Sequence, residues 1–104
     1  MIKREKRRYL ALKVECEQPL DERAVFDAVQ ASVHRLFGEY GASQAKIKMI
    51  KYLPKKRQLV IRCSHTTLEK VRAAIASTIE VNGENTTIHV LGVSGTLRAL
   101  SKKT

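Results

Sequence analysis

Near the C-terminal end of the sequence, two glycines flank a serine in a run whose residue types suit several kinds of chemistry. The run is Gly92-Val93-Ser94-Gly95-Thr96, and it follows an apolar segment. A nucleophilic serine on a strand-to-helix elbow needs the spacing Gly-x-Ser-x-Gly, because both flanking positions must tolerate a strained turn. Here the second glycine comes one position too early, and the chain is too short for the sheet of an α/β-hydrolase. We therefore reject Ser94 as a catalytic nucleophile.

Two other interpretations of this run remain open. A glycine-bearing turn that leads into a helix exposes backbone N–H groups, and anions such as phosphate bind there. Ser94 and Gly95 would then contact the anion, and Arg98 would add positive charge one turn further on. The alternative is that Ser94 only caps a short helix, while Gly92 and Gly95 provide unusual backbone angles. The local sequence favours the cap, although a capped helix start can also meet a phosphate.

The remaining reactive residue types are sparse and scattered. Cys16 and Cys63 fall on the apolar side of predicted strands, so we interpret them as core residues in a reducing compartment, with a disulfide as the alternative. The three histidines have no Cys/His spacing that is typical of a zinc site. A small phosphatase of the acylphosphatase type needs a glycine-rich loop after the first strand, and the segment EQPLDER contains no glycine. We predict no catalytic residue, no metal site and no cofactor bound by the protein itself.

Charge is the unusual feature of the composition. The 104 residues include 20 Lys and Arg against 10 Asp and Glu, which gives a formal net charge of +10. For one small domain, that excess indicates a polyanionic partner, with nucleic acid ahead of an anionic membrane surface. The basic N-terminus has no apolar stretch behind it that is long enough for a signal peptide or a membrane span. We therefore expect a cytoplasmic protein without a membrane partner.

Four segments alternate apolar and polar residues, as half-buried strands do. These strands must position the basic residues of the chain. They are RYLALKVECE, AKIKMIKYL, QLVIRC and TTIHVL. The short basic turn Pro54–Arg57 joins the second and third segments, which predicts an antiparallel hairpin.

Helical periodicity fills the gaps between these strands. Asp21 is the predicted N-cap of a first helix, Leu20 and Val25 have the spacing of a hydrophobic staple, and Gly38 with Gly41 would end the helix. A capping box, Thr66 with Glu69, predicts the start of the second helix. Asn82 and Gly83 would end it. The apolar stripe of this helix consists of Leu68, Val71, Ile75 and Ile79. The segment TLRALSKK predicts a last short helix.

The element order β-α-β-β-α-β predicts an α+β fold, a two-layer sandwich of the ferredoxin-like or RNA-recognition-motif type with an antiparallel sheet and a short C-terminal helix. We predict a single domain over 1–104, with a basic arm at 1–7, the α/β core at 8–92 and a C-terminal segment at 93–104. Both helices would cover one face of the sheet. The other face would be small, basic and partly apolar, and available to a partner or to the terminal segment; its predicted residues are Ala11, Lys13, Lys48, Val60, Arg62, His89 and Leu91.

Basic residues concentrate in three runs, and together they predict nucleic-acid binding better than an ordinary solvated surface. Only Tyr9 and Tyr52 could stack on bases, so we expect recognition of phosphates and of the shape of structured RNA. The candidate RNA-binding residues are Lys3, Arg4, Lys6, Arg7, Arg8, Lys46, Lys48, Lys51, Lys55, Lys56, Arg57, Ser94, Gly95 and Arg98.

Four segments together resemble a known family. RRYLALKV, FGEYGASQAKIKMI, LVIRCSHTTLEKVRAAI and LGVSGTLRAL are similar to archaeal ribonuclease P protein component two, the small subunit shared by the archaeal and eukaryotic enzymes. The resemblance runs from about Arg8 to about Leu100. It depends on a combination: the Arg62-Cys63 pair, the glycines after the first helix, and the run from Gly92 to Thr96.

The resemblance implies a function that the residues alone do not. Members of this family are not enzymes by themselves. They bind the catalytic domain of ribonuclease P RNA and support removal of the 5′ leader from precursor tRNA, so that precursor tRNA is an indirect partner. Catalysis belongs to the RNA with its magnesium ions. The implied protein partner is the barrel-shaped component three, and two such pairs can associate through the small subunit as a heterotetramer.

Two functions from other classes stay open at this stage. A structural RNA-binding protein of the ribosomal type would bind ribosomal RNA and leave precursor tRNA cleavage unaffected. A ferredoxin-like ligand-sensing module would be stabilised by a small metabolite and would bind RNA weakly and without specificity.

Overall fold

The structure is a computed structural model that describes residues 6–17 and 21–103 of the chain. Its elements, in chain order, are β1 (Arg7–Glu15), α1 (Glu22–Ala45), β2 (Lys48–Leu53), β3 (Gln58–Ser64), α2 (Leu68–Ser77), β4 (Glu80–Val81), β5 (Glu84–Asn85), β6 (Thr87–Ser94) and α3 (Leu97–Lys103). Four strands form one antiparallel sheet in the order β2-β3-β1-β6, and β4 pairs with β5 separately. Without that small hairpin the order is β-α-β-β-α-β followed by α3, so the predicted ferredoxin-like fold with a C-terminal helix is confirmed.

The alternation of β1 sets the two faces of the sheet. Leu10 and Leu12 are both 0% exposed and lie on the face that α1 and α2 cover, which we call the helix-covered face. Strand β3 adds Leu59 and Ile61 to this core, and each lies opposite one of these two leucines. Because successive side chains in a strand point to opposite faces, the residues between them belong to the second face.

Two bulges adjust this alternation at the outer strands. In β6, Ala11 of β1 lies opposite Gly92 and Leu12 lies opposite Val90, so Leu91 is the extra residue. A bulge of this kind resets the alternation, and Val90 and Val93 both pack against the core. In β2 the corresponding shift falls between Met49 and Lys51.

The start of α1 follows the sequence prediction. The side chain of Asp21 accepts a hydrogen bond from the backbone N–H of Arg23 at 3.4 Å, which is the expected N-cap contact. Val25 is buried in the core, whereas Leu20, its predicted staple partner, lies outside the described residues.

Of the two glycines predicted to end α1, only Gly38 interrupts it. Gly38 has φ 74°, a left-handed value that glycine adopts at no steric cost. The chain then resumes a helical course to Ala45, so the prediction for Gly41 is wrong. A Cβ on Gly41 would lie 2.6 Å from Cβ of Phe37, and the residue is therefore needed for close packing rather than for termination.

The predicted capping box of α2 is also wrong. A 3-10 turn at His65–Thr67 precedes α2, and it moves the N-cap from Thr66 to Thr67. The hydroxyl of Thr67 donates to the carbonyl oxygen of Ser64 at 3.1 Å, and the hydroxyls of Thr66 and Ser64 bond to each other at 3.1 Å. The two threonine hydroxyls are thus bonded to the end of β3.

The C-terminal limit of α2 falls earlier than predicted. The helix ends at Ser77, and Ile79, placed by its spacing on the helical stripe, is 70% exposed beyond it. Asn82 and Gly83 form the turn of the β4-β5 hairpin with φ of 52° and 82°. Two left-handed residues in a two-residue loop suit a type I′ hairpin turn, so this Asn-Gly pair makes a turn between strands and does not close a helix.

A buried hydrogen-bond chain holds α1 against the end of α2. The hydroxyl of Thr78 donates to the carbonyl oxygen of Ala74 at 2.8 Å, so its single proton is already used. The hydroxyl of Ser32 therefore donates to Thr78, over 2.7 Å. Both buried hydroxyl groups are therefore hydrogen-bonded, and this contact stabilises the packing of the two helices on the sheet.

The second face of the sheet is partly covered by α3. Leu100 is 2% exposed and packs on Ala11 and Val60, with Tyr9 and Ile50 at the edge of this small cluster. The prediction that the terminal segment could occupy this face is thereby confirmed.

The predicted division into 1–7, 8–92 and 93–104 stays a prediction. In the structure β1 begins at Arg7 and β6 runs to Ser94, so the strands cross both of those boundaries.

Candidate nucleic-acid interface

Apart from Arg98 on α3, the described basic candidates fall into two groups at opposite ends of the β2-β3 hairpin. One group lies where β1 begins, β3 ends and β2 begins: Lys6, Arg7, Arg8, Lys46 and Lys48. The other follows the turn between β2 and β3: Lys55, Lys56 and Arg57, with Lys51 on β2 two residues before that strand ends. The seven residues of β3 span about 20 Å at 3.3 Å per residue, so one nucleotide cannot contact both groups. Lys3 and Arg4 lie outside the described residues.

Sequence reasoning missed one member of the first group, Arg62. In the sheet register Arg62 lies opposite Lys48 on β2 and opposite Tyr9 on β1. Arg7 lies opposite Ser64 and is therefore a diagonal neighbour of Arg62 on the same face. We call this set, Arg7, Lys46, Lys48 and Arg62, the basic corner. The signal was present in the sequence, because the alternation of QLVIRC already placed Arg62 on the second face.

A cavity of about 140 Å³ opens in this corner. Its lining consists of Arg7, Lys46 and Arg62 together with Cys63 and Ser64. The side chains of Arg7 and Lys46 are exposed and that of Arg62 is half-buried, whereas Ser64 is buried. Three cationic side chains thus surround one small cavity.

Arg8 lies opposite Cys63 in the sheet register, and its guanidinium approaches Gly95. The guanidinium of Arg8 donates to the carbonyl oxygen of Arg7 at 3.1 Å, and a Cβ on Gly95 would lie 3.3 Å from its Nη1. Burial raises the pKa of the Cys63 thiol to about 11, and the positive charge of Arg8 opposes part of that rise. Cys63 and Cys16 are thiols in the structure, not a disulfide, as the sequence interpretation favoured.

At the other end of the hairpin, Arg57 has a structural role that the sequence did not predict. It adopts a left-handed conformation with φ 52°, and its carbonyl accepts from the N–H of Val14 at 2.9 Å. Its guanidinium Nη1 donates to the carbonyl oxygen of Cys16 at 3.2 Å. Arg57 thus fastens the turn to the end of β1, while Lys55 and Lys56 are exposed beside it.

The run that ends β6 leads into a capped helix, as predicted, but the N-cap residue is Thr96 and not Ser94. The hydroxyl of Ser94 accepts from the N–H of Thr96 at 3.4 Å, and the hydroxyl of Thr96 accepts from the N–H of Ala99 at 3.2 Å. Gly92 and Gly95 do not have positive φ, so the predicted unusual backbone angles are wrong. Gly92 instead lies at the β6 bulge.

Arg98 is exposed on α3, and the small Leu100 cluster holds that helix across the second face. Arg98 therefore lies on the same side of the sheet as the basic corner. A groove beside α3 is lined by Lys51 and Lys56 from the hairpin and by Leu97 and Ser101 from the helix. Along this side, basic residues run from the corner to the helix and on to the hairpin.

Of the two tyrosines that could stack on bases, only Tyr9 lies on the second face, where it borders the Leu100 cluster. Tyr52 packs against the core of the helix-covered face, so the prediction that it could stack is wrong. The β2 bulge is the physical reason, because it returns Tyr52 to the core side opposite Leu59.

Acidic residues are few in the segments that form this surface, although Glu15 lies on the second face at the far end of β1, where it pairs with His89. Residues 40–68 contain seven Lys or Arg and no Asp or Glu, and no acidic residue follows Glu84. Within 6–17 and 21–103, the ion pairs are Arg23 with Asp27 at 3.6 Å and His89 with Glu15 at 3.4 Å, and neither includes Arg7, Lys48 or Arg62. In the same described ranges, no three His, Cys, Asp or Glu side chains are grouped as metal ligands. No helix of those ranges is long and apolar enough to cross a membrane.

A basic surface on a ferredoxin-like sheet is compatible with many RNA-binding families, and comparison with known proteins decides among them. Residues 8–104 match the Rpp14/Pop5 family. The chain belongs to the Rpp14/Pop5 family. The resemblance identified from the four sequence segments is thereby confirmed.

Curated relatives of this Rpp14/Pop5 chain carry the name ribonuclease P protein component 2. The protein from Methanosarcina mazei is 35% identical over 100 residues, which cover 96% of this chain and 84% of the relative. The protein from Pyrococcus abyssi is 34% identical over 100 residues, with 96% and 85% covered. A chain in the cryo-EM structure of yeast ribonuclease MRP has a TM-score of 0.73 at 16% identity and covers 94% of this chain and 80% of that chain, a likeness that shows the shared fold.

Proposed function

We propose that this chain is a protein subunit of ribonuclease P that binds the catalytic domain of the RNA subunit and supports removal of the 5′ leader from precursor tRNA. Family membership over residues 8–104 and the names of its relatives support the assignment to ribonuclease P. The observation that carries RNA binding is the basic surface from the corner to α3. Residues 40–68, which contribute several of its cations, contain seven Lys or Arg and no Asp or Glu.

In this proposal the chain contributes binding, and the RNA with its magnesium ions carries out the cleavage. Arginine and lysine side chains neutralise backbone phosphates and release counterions, which fixes the orientation of the protein on the RNA without reading its sequence. Within the described residues, Tyr9 is the one tyrosine on this face, which suits phosphate binding better than single-strand base recognition.

The proposed partners are the ribonuclease P RNA, precursor tRNA through that RNA, and the barrel-shaped protein component three. Association of two such protein pairs through this subunit, as a heterotetramer, is part of the proposal, as is a cytoplasmic location.

A reconstitution tests this proposal. Ribonuclease P RNA with component three is assayed at limiting magnesium, with and without this chain, for cleavage of precursor tRNA. We expect a marked rise in cleavage when the chain is present, because its cations lower the need for magnesium near the RNA backbone. If cleavage does not rise although component three is active with a known small subunit, the chain is an RNA-binding protein of another assembly.

The same preparation separates the two other candidate functions. A ribosomal-type protein would bind ribosomal RNA more tightly than ribonuclease P RNA. A ligand-sensing module would bind both RNAs weakly, with a salt slope far below that of an extended basic surface.

A further inference from the structure

Electrostatic repulsion between side chains of the basic corner destabilises the sheet, and the fold does not require these charges. Lys48 and Arg62 lie directly opposite each other on adjacent antiparallel strands, and like charges in that position destabilise a sheet. Arg7 is a diagonal neighbour of Arg62 on the same face, so a third positive charge adds to the repulsion. Within the described residues, none of these three side chains forms an ion pair with a carboxylate.

The corner also has a shape that fits an anion. Arg7, Lys46 and Arg62 line a cavity of about 140 Å³ together with Cys63 and the buried Ser64. That volume is several times the ~30 Å³ that one water occupies in the liquid, so the cavity has room for an anion larger than water. Arginine is suited to such a site, because its planar guanidinium donates two parallel hydrogen bonds to phosphate oxygens.

From the register, the cavity and the lack of a carboxylate partner for Arg7, Lys48 and Arg62 among the described residues, we propose that the basic corner binds one phosphodiester group of the RNA backbone, with Arg62 and Arg7 as its principal ligands. An anion between these cations is attracted to each of them, and this attraction offsets their mutual repulsion. The opposed pair Lys48–Arg62 would thus have a function in binding. The inference rests on the proposed RNA-binding function and adds a specific phosphate site to it. Tyr9, next to Arg62 in the same row across the sheet, borders the position of the adjoining nucleotide.

The test is an NMR titration of the full chain with a short RNA hairpin at low salt, repeated with inorganic phosphate. We expect the largest amide shifts at Arg7, Lys48 and 62–64. In the double variant Arg7→Gln/Arg62→Gln, the dissociation constant for the hairpin should rise about tenfold or more, as loss of charge-assisted hydrogen bonds to phosphate requires. The slope of log affinity against log salt should become shallower by about 0.7 to 0.9, because one phosphate is no longer neutralised.

A matched variant separates the local site from overall charge. Arg35→Gln/Arg72→Gln removes the same two charges from exposed positions on α1 and α2, on the other side of the sheet. We expect its affinity to fall by less than threefold. Equal weakening by both double variants would overturn the site, because it would show that only the net charge matters.

Two further outcomes have fixed meanings. Amide shifts confined to Lys55–Arg57 and α3 would overturn the proposal, and so would shifts at the corner with inorganic phosphate but none with RNA. Shifts at the corner with the hairpin, together with no gain in precursor tRNA cleavage, would support the phosphate site and disprove the ribonuclease P assignment. Because the wild-type titration needs no substitution, the result does not depend on how the variants fold.

Discussion

The two faces of the four-stranded sheet are built from the same strands, yet they differ in both cover and charge. On the helix-covered face, Leu10, Leu12 and Ile61 are completely buried under two helices that are themselves joined by the Ser32–Thr78 hydrogen bond. On the second face, the cluster of buried apolar side chains consists, within the described residues, of Ala11, Val60 and Leu100, and cations lie around it. The first arrangement is typical of a stable core, and the second of a binding surface that is stabilised elsewhere.

This difference explains how the chain tolerates like charges in direct opposition. Opposed cations cost free energy, and burial of apolar side chains contributes about 25 cal/mol per Å² in the other direction. The large core on the helix-covered face can offset the cost that the Lys48–Arg62 pair imposes on the second face. Stability and binding are thus assigned to opposite sides of one sheet.

The largest effect is expected from a cavity on the helix-covered face. Ile61 is 0% exposed between β1 and β2, so Ile61→Ala should lower the free energy of unfolding by about 2–5 kcal/mol. Denaturant unfolding measures the loss. The control is Leu91→Ala, at a 41% exposed position in the β6 bulge, where the change should be below about 1 kcal/mol. Equal losses would contradict the proposed division between the faces.

A smaller loss is expected on the second face. Leu100→Ala removes the buried residue that holds α3, but α3 can detach without unfolding the sheet, so the cost is limited to the docking energy of one short helix. We expect about 1–3 kcal/mol. Hydrogen exchange should show that the N–H of Leu100, bonded to the carbonyl of Thr96 at 3.1 Å, loses protection while the strands keep theirs. Loss of protection in β1 and β3 as well would show that α3 belongs to the cooperative core.

The position of these elements shows what the sequence could and could not predict. Strands and helices are local patterns, and alternation or helical periodicity placed all four strands of the sheet and all three helices. The errors concern residues whose role depends on distant neighbours. Asn82 and Gly83 form a hairpin turn because β4 and β5 pair, and Tyr52 is turned to the core because a bulge precedes it.

The same distinction applies to the candidate site. The basic runs were visible as sequence, and so was a capped start of the last helix, although the capping residue is Thr96 and not Ser94. The role of Arg62 was missed because its neighbours Lys48 and Arg7 come from other strands, and only the register brings the three together. Conversely, Arg57 belongs to a basic run but donates to the carbonyl of Cys16, a contact that no local pattern predicts.

The burial of Cys63 on the helix-covered face should make the free energy of unfolding depend on pH. Burial raises the pKa of the Cys63 thiol from 9.0 to about 11, so between these values the unfolded chain loses the proton while the folded chain keeps it. Stability should therefore be fully present below pH 9 and fall as pH rises toward 11, by about 1–2 kcal/mol. The measurement is the difference in unfolding free energy between the wild type and Cys63→Ala at each pH, which cancels other titrating groups. Parallel curves would contradict this prediction.

The smallest effect is expected at Arg98, on the edge of the second face. Arg98 is exposed on α3, so Arg98→Ala should leave thermal unfolding unchanged and weaken binding to ribonuclease P RNA several-fold, since one phosphate contact is lost. If about six phosphates are contacted in all, the log–log salt slope of the wild type should lie near −4 to −5, and the variant's should be shallower by about 0.7 to 0.9. Arg72→Ala on α2 is the control, because it removes one exposed arginine from the opposite side of the molecule. If the Arg98 variant binds with unchanged affinity at several salt concentrations, the interface is restricted to the strands. A log–log salt slope near −1 for the wild type would exclude an extended basic interface.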